Sequence, residues 1–294
     1  MFAHRKATAF YLVVWIIGCL SVPMDVVADV IASSDLTLNN LRFSFSDPRA
    51  QVAWTDVWFG EVRAQAQDTD SGPPRGNSAS MLRNDGAIAV SADTSHVHST
   101  ASFALANGSQ PNVSVLANTH SQLEIIRRTA QADGFASSIF NNFFMLVNPN
   151  DPNATGAVQM TISLDYSGRL RGEADADGFF SIALRGLLRV DDLLGVTLGE
   201  ELIRDLLNPP DFVPLHSGTN TVFDRPYTGS LNISIPLLYG TEYFLVALAD
   251  SEVFGTNVVP EPGTLSLLAL AGVLMLFLRR NSALPLAPLT RQHV

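Results

Sequence analysis

Two apolar runs without charged residues, 7–20 and 265–278, limit how much of this 294-residue chain can form a globular fold. Runs of this composition near the ends of a chain are typical of targeting or membrane segments, which are set aside before the fold is considered. About 230 residues remain, enough for one large domain or two small ones with a sizeable core. We call this middle region, residues 29–257, the body.

The first 28 residues have the three-part layout of a secretory signal. The basic stretch His4-Arg5-Lys6 precedes the apolar run, and the segment ends in Val26-Val27-Ala28. Because small residues at the last and third-last positions suit signal peptidase, we predict a signal helix that is removed by cleavage after Ala28. Two alternatives stay open: an N-terminal anchor that is kept, and lipoprotein processing with acylation of Cys19.

The second apolar run lies between an extended motif and a basic stop. It follows Pro260-Glu261-Pro262 and precedes Arg279-Arg280. The two prolines hold the backbone around Glu261 in an extended form, the form in which proteases usually read a substrate. As a helix the run would rise ~21 Å against ~30 Å of hydrocarbon, so thinning of the bilayer and snorkelling of the arginines must close the gap.

This order of features resembles the PEP-CTERM sorting domain of Gram-negative, exopolysaccharide-producing bacteria. The resemblance covers residues 258–280 and implies processing by an exosortase, a membrane protease or transpeptidase that acts near the Pro-Glu-Pro motif. The residues carried over from the family pattern are Pro260, Glu261 and Pro262 as the recognition motif, and Arg279 and Arg280 as the basic terminus. An ordinary tail anchor with an incidental Pro-Glu-Pro sequence is the alternative.

The orientation in the membrane follows from the two arginines. The positive-inside rule keeps Arg279-Arg280 in the cytoplasm, with 281–294 as a short cytoplasmic tail, and leaves the body on the outer side. We therefore predict an exported protein with a C-terminal transmembrane helix. Its predicted route runs from the periplasmic side of the inner membrane to the cell surface or to secretion.

Charge and cysteine content exclude several classes of function for the body. It has 13 basic and 26 acidic residues, and the only lysine, Lys6, lies in the signal segment. An acidic body without a basic cluster argues against nucleic acid and anionic lipid headgroups as partners. The only cysteine, Cys19, also lies in the signal segment, so the body has no disulfide and no thiol nucleophile.

Alternation of apolar and polar residues predicts strands throughout most of the body. The clearest stretches are 36–45, 52–62, 101–106, 113–117, 158–166, 179–190, 229–235 and 241–249. Turn-rich clusters separate them, and Ser167-Gly168 predicts a tight hairpin. We therefore predict an all-β fold over residues 29–250, a β-sandwich or jelly roll, followed by an exposed linker at 251–257.

One segment departs from the strand pattern. Thr197 and Glu200 have the spacing of a helix capping box. Apolar residues then follow at helical intervals, namely Leu198, Leu202, Ile203, Leu206 and Leu207. The pattern predicts one short amphipathic helix packed on a sheet, which ends at Asn208-Pro209-Pro210.

Three carboxylates alternate along one predicted strand, namely Glu173, Asp175 and Asp177. At a period of two they project from the same face, where they repel each other unless water or a cation intervenes. Ca²⁺ prefers oxygen ligands of this kind, but alternating acids are also common on a solvent-facing strand. We predict no cofactor, with calcium as the alternative, and Asp68-Thr69-Asp70-Ser71-Gly72 is a weaker fragment of the same type.

Histidines provide a second candidate metal site. His96 and His98, at positions i and i+2, are predicted to share one strand face, with Asp93 nearby and His120 on a neighbouring strand. Two histidines in this arrangement can bind a transition metal. The alternative is that they are surface histidines of a strand rich in serine and threonine.

Trp54, Trp58 and Phe59 are the candidate platform for a sugar ring. Aromatic side chains stack on sugars, but they also dominate cores. We predict that Trp54 and Trp58 pack in the core.

The body lacks the fingerprints of the common hydrolases, metalloproteases and nucleotide-binding proteins. We therefore predict a non-enzymatic structural protein of the cell surface or extracellular matrix, linked to biofilm or exopolysaccharide. The alternative is a carbohydrate- or calcium-binding β-sandwich module. A secreted hydrolase is the third possibility.

Overall fold

A computed structural model describes residues 29–54, 58–83, 86–106, 113–126, 130–174, 178–206 and 221–257. These residues form thirteen β-strands and no helix. The strands are β1 (Asp29–Phe45), β2 (Gln51–Trp54), β3 (Trp58–Asp68), β4 (Arg75–Arg83), β5 (Gly86–Asp93), β6 (Val97–Ala106), β7 (Val113–Ile126), β8 (Ala130–Val147), β9 (Ala157–Ala174), β10 (Gly178–Asp192), β11 (Thr197–Leu206), β12 (Thr221–Leu238) and β13 (Glu242–Asn257).

The strands form two antiparallel sheets. The first sheet has the order β12-β9-β1-β7-β6-β5, and the second has the order β11-β10-β13-β8-β3-β4 with β2 paired to β8. One hydrophobic cluster contains both Leu36 of the first sheet and Phe140 of the second, so the sheets pack face to face. The all-β prediction is confirmed, and the two-layer arrangement is that of a β-sandwich.

The alternation in β1 shows why the sequence forms this sandwich. The side chains of one face are fully buried, namely Val30, Ala32, Ser34, Leu36 and Leu38. The residues that alternate with them on the other face are partly exposed. A strand places successive side chains on opposite faces, so this pattern directs one face into the core.

Buried serines divide the core into two apolar clusters. Ser34 of β1, Ser99 of β6, Ser121 of β7 and Ser251 of β13 each stand between residues of the two clusters along their strand. The Ser34 hydroxyl donates to the carbonyl oxygen of Ala183 at 2.5 Å, and the Ser121 hydroxyl donates to that of Ser251 at 3.2 Å. These bonds link the two sheets and favour one alignment of them, because a shifted alignment would leave buried hydroxyls without partners.

The predicted helix at 197–207 is wrong, because residues 197–206 form strand β11. β11 pairs along its length with β10, with Leu202 opposite Leu187. The Thr197 hydroxyl donates to Asp191 Oδ1 at 2.9 Å, so it does not act as a helix cap. Leu198 and Leu202 are four positions apart, an even spacing that also fits one face of a strand.

The predicted hairpin at Ser167-Gly168 is also wrong, because β9 runs through these residues from Ala157 to Ala174. A Cβ atom on Gly168 would lie 2.6 Å from the carbonyl oxygen of Asp35 in β1. Glycine is therefore required here by close approach of a neighbouring backbone rather than by a turn.

The predicted linker at 251–257 is the last part of β13, a central strand of the second sheet. Ser251, Val253 and Asn257 are fully buried. Asn257 lies opposite Gly178 of β10 and Ala130 of β8. The folded body therefore extends to residue 257.

Strand direction defines two ends of the body. Asp29 at the start of β1 and Asn257 at the end of β13 lie at one end, which we call the terminal end. Val30 of β1 packs against Gly255 of β13 at this end, so closely that a Cβ atom added to Gly255 would lie 3.2 Å from Val30 Cγ1. The β10–β11 turn lies at the opposite end, because β10 and β13 are antiparallel.

Candidate functional site

The sorting segment begins where the second sheet stops. Pro260, Glu261, Pro262, Arg279 and Arg280 lie outside the described residues, as does the predicted cleavage site at Ala28. In the part of the chain that the structure describes, no helix is long and apolar enough to cross a bilayer. What the structure adds is the attachment point, since only Val258 and Val259 separate the buried Asn257 from Pro260.

The candidate calcium ligands are only partly described. Glu173 lies in β9, between Ile31 of β1 and Val222 of β12, with its side chain partly exposed. Asp175 and Asp177 fall outside the described residues. Calcium binding by these three carboxylates therefore stays a prediction.

The three candidate histidines have separate acidic partners. His98 bonds through Nδ1 to Asp93, and His120 bonds through Nδ1 to Asp35. The His98 and His120 ring centroids lie 6.1 Å apart. The hydrogen bond to Asp35 raises the pKa of His120 and favours its imidazolium form.

His96 does not share a strand with His98, because it lies in the turn that precedes β6. Its side chain is 7% exposed, with Nε2 3.1 Å from Asp70 Oδ2 and Nδ1 3.1 Å from the carbonyl oxygen of Glu124. Both partners are acceptors, so the two bonds form together only when both ring nitrogens carry hydrogen. Across the described ranges there is no group of three or more His, Cys, Asp or Glu side chains that could hold a metal ion.

Asp68, from the weaker calcium fragment, is the centre of a corner that also includes Asp70, Ser71, Thr94 and His96. Its carboxylate accepts hydrogen bonds from the backbone N–H groups of Asp70, Ser71 and His96, the first at 3.0 Å and the last at 3.1 Å. Burial would raise the pKa of Asp68, but hydrogen bonds from Thr94 and Ser71 and the charge of His96 outweigh it and lower the pKa to about 2. The carboxylate therefore ties the β3–β4 loop to the β5–β6 turn.

We expect Asp68→Asn to lower the free energy of unfolding by about 2 kcal/mol at neutral pH. A carboxylate with a lowered folded-state pKa stabilises the protein above its unfolded pKa, and this contribution disappears as the pH falls towards 2. Urea titrations at several pH values would measure the effect. Asp93→Asn, at a carboxylate with 57% side-chain exposure, is the control and should change stability by less than about 0.5 kcal/mol. A difference for Asp68→Asn that is constant with pH would contradict the assignment.

An open cleft of about 420 Å³ adjoins the same corner. Its lining includes Asp93, His96, His98, Gln122, Glu124 and Ile126. The exposed groups offer both donors and acceptors, so the cleft suits a polar ligand. Gln122 and Glu124 of β7 were not predicted from the sequence to belong to this site.

The tryptophans belong to the core, as predicted. Trp58 is 1% exposed, and Trp54 is partly buried against the same cluster with its ring centroid 4.5 Å from that of Trp58. Phe144 completes the group at 5.9 Å from Trp54. A ring as buried as Trp58 cannot stack on a polysaccharide at the surface.

Comparison with known families identifies the C-terminal segment. The model of the PEP-CTERM protein-sorting motif matches residues 258–281. The match starts directly after β13 and includes the Pro-Glu-Pro sequence and both arginines, which confirms the resemblance. Comparisons with curated proteins and with solved structures gave no match. The chain therefore carries a PEP-CTERM sorting motif and is an exported exosortase substrate that is anchored in the membrane for sorting before it is processed.

Proposed function

We propose that the body is a non-catalytic structural module of the cell surface or extracellular matrix that binds exopolysaccharide without a cofactor. The observation that carries the proposal is the outward face of the first sheet, which we call the polar face. Its members are Thr37, Arg42, Ser102, Asn118, Thr161, Ser163, Asp165, Ser230, Asn232 and Ser234.

Side chains of the polar face bond to each other across neighbouring strands. The Ser163 hydroxyl donates to Asn232 Oδ1 at 2.7 Å, and the Thr37 hydroxyl donates to Asn118 Oδ1 at 2.8 Å. Thr161 and Ser234 share a hydrogen bond of 3.1 Å. These lateral bonds hold hydroxyl and amide groups in place beside solvent, so less side-chain entropy is lost when a ligand binds.

Charge pairing on this face favours an uncharged partner. Arg42 forms a two-pronged ion pair with Asp165, at 2.5 and 2.7 Å. Asp165 also accepts a hydrogen bond from Ser230 at 2.6 Å. Since the body as a whole has twice as many acidic as basic residues, a neutral polysaccharide is a better partner than an acidic one.

Binding of the full chain to purified, neutral biofilm exopolysaccharide tests the proposal. We expect Ser163→Ala with Asn232→Ala to weaken retention on the immobilised polysaccharide about fivefold, because hydroxyl and amide contacts are lost. Ser181→Ala with Asn141→Ala removes the same groups from the outward face of the second sheet and is the matched control. Unchanged retention of the first variant would contradict the proposed surface, and release of new reducing ends would contradict a non-catalytic role.

The carbohydrate-module alternative loses part of its support. Its aromatic platform, Trp54 and Trp58, packs in the core, whereas the open cleft near His98 still fits a polar ligand. Retention that falls after substitutions in the cleft but not on the polar face would favour that alternative.

A further inference from the structure

The turn between β10 and β11 exposes a group of apolar side chains. Leu193, Leu194 and Val196 are 58%, 89% and 55% exposed. We call residues 193–196 the tip. Leu198 and Leu238 are also exposed at this end of the body. Exposed apolar groups gathered at one place mark an interaction site more often than single exposed residues do.

Hydrogen bonds inside the turn fix the tip. Asp192 Oδ1 accepts from the N–H groups of Leu194 and Val196 at 2.9 and 2.8 Å. The Gly195 N–H donates to the carbonyl oxygen of Asp192 at 3.0 Å. The Asp192 N–H donates in turn to the carbonyl oxygen of Val196 at 2.9 Å. Gly195 has a φ of 77°, a left-handed conformation that suits glycine. The N–H groups of Leu194, Gly195 and Val196 are therefore satisfied within the turn, while the apolar side chains of the tip are exposed.

We propose that the tip inserts into the surface of a lipid bilayer. Hydrocarbon offers no hydrogen bonds, so a segment that approaches it must satisfy its backbone groups internally, as the N–H groups of Leu194, Gly195 and Val196 do. A stable protein interface takes roughly 20–30 residues from each side, far more than the few apolar residues at the tip. Shallow insertion into the headgroup and acyl boundary requires only a small apolar surface.

Charges next to the tip indicate the kind of bilayer. The nearest cation in the sequence, Arg189, pairs with Asp191 at 3.0 Å. The Asp192 carboxylate bonds to the turn, and Glu200 is exposed in β11. Because acidic groups surround the tip and the adjacent arginine is paired, zwitterionic lipids fit better than anionic ones.

The position of the tip suits contact with a second membrane. β10 runs for 15 residues from the terminal end to Asp192, which corresponds to roughly 50 Å at the rise of a β-strand. The tip therefore lies at the far end of the body from Asn257, after which the sorting segment begins. Within the body, the tip and the residue that precedes the sorting segment therefore lie at opposite ends, so insertion of the tip can be tested with a second bilayer.

Clustering of vesicles tests this inference with the full chain. The protein is reconstituted through its own C-terminal segment into phosphatidylcholine vesicles with one dye, which are then mixed with protein-free phosphatidylcholine vesicles with another. We expect two-colour clusters. Leu193→Ser with Leu194→Ser should raise the protein density needed for clustering about tenfold or more. Val222→Ser, at a residue 67% exposed at the terminal end, should have no effect.

The outcomes separate lipid from protein partners. Clusters that form with protein-free vesicles and weaken in the double variant support the inference. Clusters that form only when both populations carry protein would overturn it in favour of a second copy of the chain, and clusters unchanged by the double variant would also overturn it. Leu194→Asn alone, with a wild-type melting temperature, serves as a second variant if the double variant is unstable.

Discussion

Mass spectrometry of the mature protein from a host with an exosortase is expected to find a chain that begins at Asp29 and ends near Pro262. The start follows from signal cleavage after Ala28, and β1 begins at the next residue. The end follows from the sorting motif matched at 258–281. Proline favours extended backbone, so the Pro-Glu-Pro sequence predicts a segment that a protease can bind without first unfolding it.

Pro260→Ala with Pro262→Ala is expected to abolish this processing and leave a chain that ends at Val294. Pro226→Ala with Pro236→Ala, at two exposed positions of β12, removes the same number of prolines from the body and should leave the mature mass otherwise unchanged. An intact C-terminus in the wild-type protein would overturn the sorting prediction. A lipid-modified chain that begins at Cys19 would instead establish the lipoprotein alternative.

The strand pattern could be predicted from the sequence because it depends on neighbouring residues alone. Leu36 and Leu38 alternate with polar residues and are fully buried. β1 nevertheless starts at Asp29, seven residues before the predicted stretch. Small inward residues such as Ala32 and Ser34 contribute little to a hydrophobic pattern, although they are fully buried, so the pattern underestimates the length of the strand.

The error at β11 shows a limit of local patterns. Leu198 and Leu202 are four residues apart, a spacing that fits both one helical face and one strand face. Pairing with β10, which places Leu202 opposite Leu187, decides between the two structures. That pairing is a property of the tertiary fold. The local pattern of residues 197–207 does not contain it and therefore favoured a helix over the strand.

The sorting motif could be located from the sequence, but the corner around Asp68 could not. The motif is linear, so its residues are neighbours in the chain. By contrast, His120 and Asp35 are 85 residues apart and meet because β1 and β7 place them opposite each other. Likewise, His96 approaches Asp68 across 28 residues, because the packing of the two sheets brings the turn before β6 to the end of β3.

Removal of residues 251–257 is expected to unfold the body, although the sequence pattern assigned them to a linker. A fragment 29–257 should melt cooperatively, whereas a fragment 29–250 should show no cooperative transition at room temperature or above. The lost segment pairs on both sides, with Ser251 opposite both Leu184 and Ala136. Each backbone hydrogen bond contributes about 0.5–1.5 kcal/mol net, and burial of a side chain such as that of Val253 about 1.5–3 kcal/mol.

The sum of these losses approaches or exceeds the ~5–15 kcal/mol that stabilises a typical domain. Thermal melting followed by circular dichroism would measure the difference between the two fragments. Equal melting temperatures would show that 251–257 contributes no stability and would restore the linker assignment. The expected result is a stable 29–257 fragment and an unfolded 29–250 fragment. Since β13 ends at Asn257 and the recognition motif begins three residues later, this result would mean that the exosortase acts next to a folded body.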